Sequence, residues 1–108
     1  MDKKIIEYYI SEDGGEPFNK WFFKLDNRNQ FIILKFINRV TVGGSKKNIK
    51  SLKDGVFEVK ISSGPGYRVY FAEDGDKIIL LLLGGDKGSQ KSDILKAKKY
   101  WSNYAKKK

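Results

Sequence analysis

The sequence predicts an α+β fold in the order β-α-α-β-β-β-α, with a twisted, mainly antiparallel sheet, two N-terminal helices and a C-terminal helix. Three observations predict it. Apolar residues recur at helical spacing between positions 18 and 40. Between 56 and 83 the period drops to two, with glycine-bearing turns between the runs. From Gln90 onward the helical period returns, studded with lysine.

Each element has a local reason. Ile5 to Ser11 alternates its side chains and reads as the first strand. The stretch EDGGEP turns the chain, and Pro17 suits the first turn of a helix, where its missing N–H loses no bond. Phe18, Trp21, Phe22 and Leu25 make 17–25 a short amphipathic helix. Asp26 or Asn27 can cap the next helix. Its stripe is Phe31, Leu34, Ile37 and Val40, broadened by Ile32, Ile33 and Phe36, and Gly43-Gly44 ends it. Residues 45–55 form a polar connection carrying Lys46, Lys47, Lys50 and Lys53. Strands follow at Val56–Ile61, Tyr67–Glu73 and Lys77–Leu83, joined by SSGPG and by the hairpin signal Asp74-Gly75. Gln90–Lys106 closes the chain as a helix, with Ile94, Ala97, Trp101 and Tyr104 on its apolar face.

A length of 108 residues and 40% apolar content suit one domain, 1–108, with one core. Lysine and arginine number 22 against 13 acidic residues, a net charge of +9, which favours acidic partners. There is no cysteine and no histidine, so disulfides, thiolate metal sites and imidazole acid–base pairs are excluded. No cofactor or metal is expected. The first residues hold no apolar stretch of signal-peptide length, and the longest apolar run, Ile78 to Leu83, is too short to cross a bilayer. The expectation is a cytoplasmic protein without membrane contact.

The register predicts a site. Pairing Ile61 with Tyr67 sets Phe57 opposite Phe71 and Val59 opposite Val69 on an apolar face. On the other face it sets Glu58 opposite Tyr70 and Lys60 opposite Arg68. Two cations directly opposed repel, and an anion between them relieves the repulsion. Continuing through Asp74-Gly75 pairs Phe71 with Ile78 and Tyr70 with Ile79. The last strand is apolar on both faces and therefore belongs inside the sheet. Beyond it, GGDKG lets the backbone approach a bulky group and projects Lys87. Ser89 can cap the final helix, whose first N–H groups then face an anion. Residues 84–108 hold eight lysines and two aspartates. The string is not a Walker loop, because the Lys-Ser/Thr spacing is absent.

Several short motifs stand in order: Asp54-Gly55, Glu58-Val59-Lys60, Gly64 to Tyr70 (GPGYRVY), and Gly84 to Ala97 (GGDKGSQKSDILKA). Together they resemble the HigB-like, phage-derived branch of the RelE/ParE toxin superfamily. The upstream elements agree in order, so the resemblance covers nearly the whole chain. It implies a RelE-like fold, with a twisted antiparallel sheet and helices on one side. It also implies the toxin of a type II toxin–antitoxin pair that cuts ribosome-bound mRNA without a metal. The implied partner is a cognate antitoxin, often of helix-turn-helix type, in a toxin–antitoxin hetero-oligomer.

Within that resemblance Arg68 is the phosphate-binding arginine, Lys87 and Lys60 add charge stabilisation, and Glu58 or Tyr70 transfers protons. Tyr70 has a second expected role, stacking on a base. Lys46, Lys47, Lys50, Lys53 and Lys91 are candidate RNA contacts. Gln90 and Asp93 are structural. Trp101 and Tyr104 are expected to pack on the sheet. The absence of histidine departs from superfamily members that cut RNA well and leaves the proton-transfer roles open. The alternatives are a ParE-like gyrase inhibitor and a non-catalytic basic RNA-binding protein.

Overall fold

The computed structural model describes residues 3–44 and 46–107. Its elements are β1 (Ile5–Tyr8), α1 (Pro17–Phe22), α2 (Asn27–Thr41), β2 (Ile49–Ser51), β3 (Val56–Ile61), β4 (Tyr67–Asp74), β5 (Ile78–Asp86) and α3 (Gln90–Lys106). The α+β class stands. The five strands form one sheet in the order β1-β5-β4-β3-β2. β1 runs parallel to β5, and the other neighbours are antiparallel.

The local signals act as their chemistry requires. Pro17 opens α1, and the Asp26 carboxylate accepts from the Asn29 N–H at 2.9 Å to cap α2. α2 ends where Gly43 adopts a positive φ of 70°. β1 is shorter than the alternation suggests: a turn closed by Ser11 N–H on the Gly15 carbonyl draws the chain off the sheet. α1 stops at Phe22, three residues early. β2 lies inside the segment read as a polar connection. It is three residues long with mostly exposed side chains, so its pairing comes from β3 and not from any periodicity of its own.

Helices cover both faces of the sheet, not one. Phe18 and Phe22 of α1 and Ile33 and Ile37 of α2 pack with Val59, Val69, Phe71 and Leu81. On the opposite face Ala97 of α3 is fully buried against Val56, Ala72, Leu80 and Leu82, with Ile94 and Trp101 beside it. The residues that alternate along β4 divide cleanly between these cores, because successive side chains point to opposite faces.

The β3–β4 register is the expected one, from Ile61↔Tyr67 to Phe57↔Phe71. The β4–β5 register differs: Asp74 faces Ile78 and Phe71 faces Leu81. Residues 75–77 form the loop, so the expected pairing is off by three positions and assigns β5 to the wrong faces. β5 is indeed interior, between β1 and β4. Between Tyr70↔Leu83 and Phe71↔Leu81 it carries one extra residue, Leu82. This bulge reverses the alternation of the strand beyond it. Gly84 thereby faces α1 and Gly85 faces α3. A Cβ on Gly84 would lie well under 3.0 Å from the Trp21 ring, and one on Gly85 equally close to the Asp93 carboxylate. Among the described residues no helix is long and apolar enough to cross a membrane.

Gly84→Ala and Gly85→Ala should each destabilise the protein by about 2 kcal/mol, since either methyl must displace a buried neighbour. Urea unfolding measures this, and midpoints unchanged from wild type would show that the close approaches are not tight. Val59→Asp should prevent folding, by burying an unpaired charge in the α2-side core.

Candidate functional site

β3, β4 and β5 carry the polar cluster side by side. Arg68 on β4 stands between Lys60 on β3 and Gly85 on β5, and the next row on this face holds Lys50, Glu58 and Tyr70. This face is covered. The first turns of α3 lie over it, leaving Glu58 4%, Arg68 6% and Tyr70 0% exposed. Gln90 Nε2 donates to Glu58 Oε2 at 2.9 Å and fastens the helix to the sheet.

Arg68 is a buried cation with few partners. Its Nη1 donates to the Gly66 carbonyl at 2.6 Å, and its Nε is buried with no acceptor. No carboxylate pairs with it among the described residues. Gly66 separates it from the exposed Lys87: a Cβ there would lie 2.9 Å from Arg68 Nη1 and 3.8 Å from Lys87 Cβ. Lys50, Lys60 and Lys87 are exposed around the guanidinium. Glu58 and Asp93 are buried nearby and offset part of its field. Asp93 is satisfied by the Ser89 hydroxyl, above the space that Gly85 leaves.

Two expectations are corrected here. Tyr70 neither stacks on a base nor ionises readily. It is fully buried, and desolvation first, then the negative charges of Glu58 and Asp93, push its phenol well above 10.0, while Arg68 acts weakly the other way. Ser89 does not cap α3 with its side chain. Instead the Asp86 carboxylate accepts from Gly88 N–H at 2.8 Å and Ser89 N–H at 3.3 Å. The GGDKG loop therefore spends the Gly88 and Ser89 N–H groups on its own acid, and those two are not bare donors for a ligand.

Of the lysines expected to touch RNA, Lys50 shares a row with Glu58, and Lys91 lies on the first turn of α3. Lys53 is at the tip of the β2–β3 hairpin, in a left-handed turn with Asp54 and Gly55. There the Trp101 indole rests on Gly55 and Lys98 lies 3.5 Å from Asp54. Lys46 and Lys47 border clefts on the α2 side, away from Arg68. Trp101 and Tyr104 stack on each other, half-buried in the α3-side core, and Tyr104 donates to Asp74 at 2.7 Å. Among the described residues no cluster of acidic side chains could hold a metal ion.

Fold and cluster together define a small basic α+β protein with a buried arginine on the central strand of a lysine-rimmed sheet, without an ion-pair partner among the described residues. The chain belongs to the phage-derived Gp49-like family (DUF891), whose model matches residues 20–101. It is also similar to an uncharacterised protein of Haemophilus influenzae, 43% identical over 82 residues, which span 75% of this chain and 82% of that protein. The matched segment runs from α1 into α3 and so includes every residue of the cluster.

Tyr70 gives a pH prediction. A phenol whose folded pKa is raised contributes stability that is fully present below about pH 10 and lost as pH rises beyond it. Tyr70→Phe should match wild type to within about 1 kcal/mol at neutral pH, since the polar group nearest the hydroxyl, the Glu58 carboxylate, keeps the Gln90 donor when the hydroxyl is removed. It should outlast wild type above about pH 10. Parallel losses in the two proteins in alkaline urea titrations would show that Tyr70 is solvated.

Proposed function

We propose that this protein is the toxin of a type II toxin–antitoxin module and acts as a metal-independent endoribonuclease on ribosome-bound mRNA. The observation that carries the reading is the Arg68 guanidinium, buried without a carboxylate partner beside Gly66 and Lys87. An unpaired buried cation is costly. A phosphodiester bound beside Gly66 and Lys87 would supply the missing counter-charge, and guanidinium, once uncovered, can bind it through two parallel hydrogen bonds.

In this reading the RNA 2′-hydroxyl attacks the adjacent phosphorus and the bond to the 5′ oxygen breaks. A base takes the 2′ proton, and an acid returns one to the leaving oxygen. Arg68 and Lys87 hold the phosphate and stabilise the charge that builds on its oxygens, with Lys60 beside them. Glu58 is the carboxylate in reach as proton acceptor once Gln90 releases it. Tyr70 stays neutral beneath the site. Lys50 and Lys91 contact the flanking backbone, and a cognate antitoxin protein, of helix-turn-helix type, restrains the activity in the cytoplasm.

One observation favours a second reading. α3 covers the sheet face down to Trp101, as suits a protein that inhibits by contact, like a ParE-type gyrase poison. Induced expression followed by primer extension on a translated message separates the two. Cleavage predicts new 5′ ends within codons being read, reduced on the order of a hundredfold in Arg68→Ala and in Lys87→Ala. Gyrase inhibition predicts changed plasmid supercoiling with intact message. Growth arrest that persists in the well-expressed double variant would remove Arg68 and Lys87 from the mechanism.

A further inference from the structure

A separate cleft opens where β1 stops short. β1 ends at Tyr8, opposite Leu81, so β5 runs on from Leu82 to Asp86 with no described strand along its outer edge. The chain leaves the sheet there in the turn from Ser11 to Gly15. Between that turn, α1 and α3 lies a cleft of about 400 Å3, a size usual for small-ligand sites, walled by Trp21 and Tyr100 over Leu83. Both rings are held in place. Trp21 lies against Gly84 and meets Tyr67 edge-on at 5.9 Å, and Tyr100 stacks on Tyr9 at 4.8 Å.

The polar groups around the rings are of two kinds. Lys20, Lys24 and Lys96 border the cleft, and none of them is in an ion pair among the described residues. Asp13 and Glu16 line it too. The bonds these acids accept come from the Ser11 hydroxyl, the Gly15 N–H and the Asn19 amide, and fall on Asp13 Oδ1 and Glu16 Oε1. One oxygen of each carboxylate is left for an outside donor. The Ser11 bond, then the Gly15 bond, hold the Asp13 carboxyl below its usual range, so it stays charged at neutral pH.

An acidic peptide would meet these carboxylates with like charge. A nucleotide suits every feature: its base stacks on an aromatic ring, its phosphates meet the lysines, and its base edge brings N–H donors to the acids. Uracil offers a single N–H, and adenine and cytosine a single amino group. Guanine presents N1–H and the N2 amino group side by side. We infer that this cleft takes one unpaired guanine of an RNA strand, with its base against the Trp21 and Tyr100 rings, its N1–H and N2–H donors on Asp13 and Glu16, and its flanking phosphates on Lys20, Lys24 and Lys96.

The guanine site deepens the nuclease reading, and rests on it for where the rest of the strand goes. Ser92, Lys96 and Tyr100 stand four residues apart on one stripe of α3, which starts next to the loop of Lys87. A strand held at Lys87 can follow that stripe to the cleft. Binding at the cleft itself needs no cleavage.

The test uses the full chain, labelled with 15N, and 2′-O-methyl trinucleotides, which have no free 2′-hydroxyl and stay intact. The chain has two tryptophans, so the Trp21 indole N–H is read apart from that of Trp101. The trinucleotide UGU should shift the Trp21 indole and the Gly15 amide and leave Trp101 in place. UAU, UCU and UUU should bind at least about tenfold more weakly. Glu16→Ala should bring UGU down to the level of UAU. Lys20→Glu/Lys24→Glu should weaken all four alike, with core amides unmoved in both variants. Equal binding of the four, shifts centred on Gly66 and Lys87 with Trp21 still, a glutamate-rich peptide moving Trp21 in place of RNA, or no shift at all would each overturn the site. Arg68→Ala should keep the UGU shift at Trp21 while losing cleavage. Intact message on induction with that shift present would overturn the nuclease reading alone.

Discussion

Two adjacent glycines in β5 set the spacing of the whole molecule. Gly84 and Gly85 point to opposite faces, and each yields its side-chain volume to a neighbour: Trp21 on one side, Asp93 on the other. The indole can then lie flat against the strand and meet Tyr67 edge-on, which seats α1. The carboxylate can descend onto the sheet, which brings the first turn of α3 down over Arg68. The bulge at Leu82 makes this division possible, because without the extra residue the two glycines would exchange faces.

The lowered helix shapes the chemistry beneath it. Under α3, Glu58 and Asp93 acquire neutral donors, Gln90 and Ser89, and remain apart from the guanidinium. Arg68 has one backbone acceptor and an unsatisfied Nε. Charges separated in this way, within a low-dielectric layer, make a stronger field around Gly66 than exposed lysines produce in water. The same burial holds the phenol of Tyr70 in its neutral form.

Much of this was legible in the sequence. VFEVKI and YRVYFAE, joined across SSGPG, fixed the β3–β4 register residue by residue, since a one-position slip would exchange the side chains packed under α1 and α2 with those packed under α3. Pro17 and Asp26 mark helix starts through single local bonds. What stayed hidden was non-local. β2 is too short to show a period. The run IILLLL is apolar at every position, so nothing in it distinguishes one register from another or announces the bulge. The four cluster residues were placed on one face, but their burial depends on α3, which no pattern within the strands encodes. The free N–H groups expected after GGDKG were claimed by Asp86, an acid within the same motif.

The parallel pairing of β1 with β5 has a consequence for how the chain assembles. Ile5 to Tyr8 align with Ile78 to Leu81, more than seventy positions downstream, with three of the five strands and two helices in between. On a ribosome the first strand emerges early and waits, its isoleucines unprotected, until nearly all the rest has been made. Closing so long a loop is slow, and the nascent chain carries an unsatisfied, adhesive edge throughout that delay.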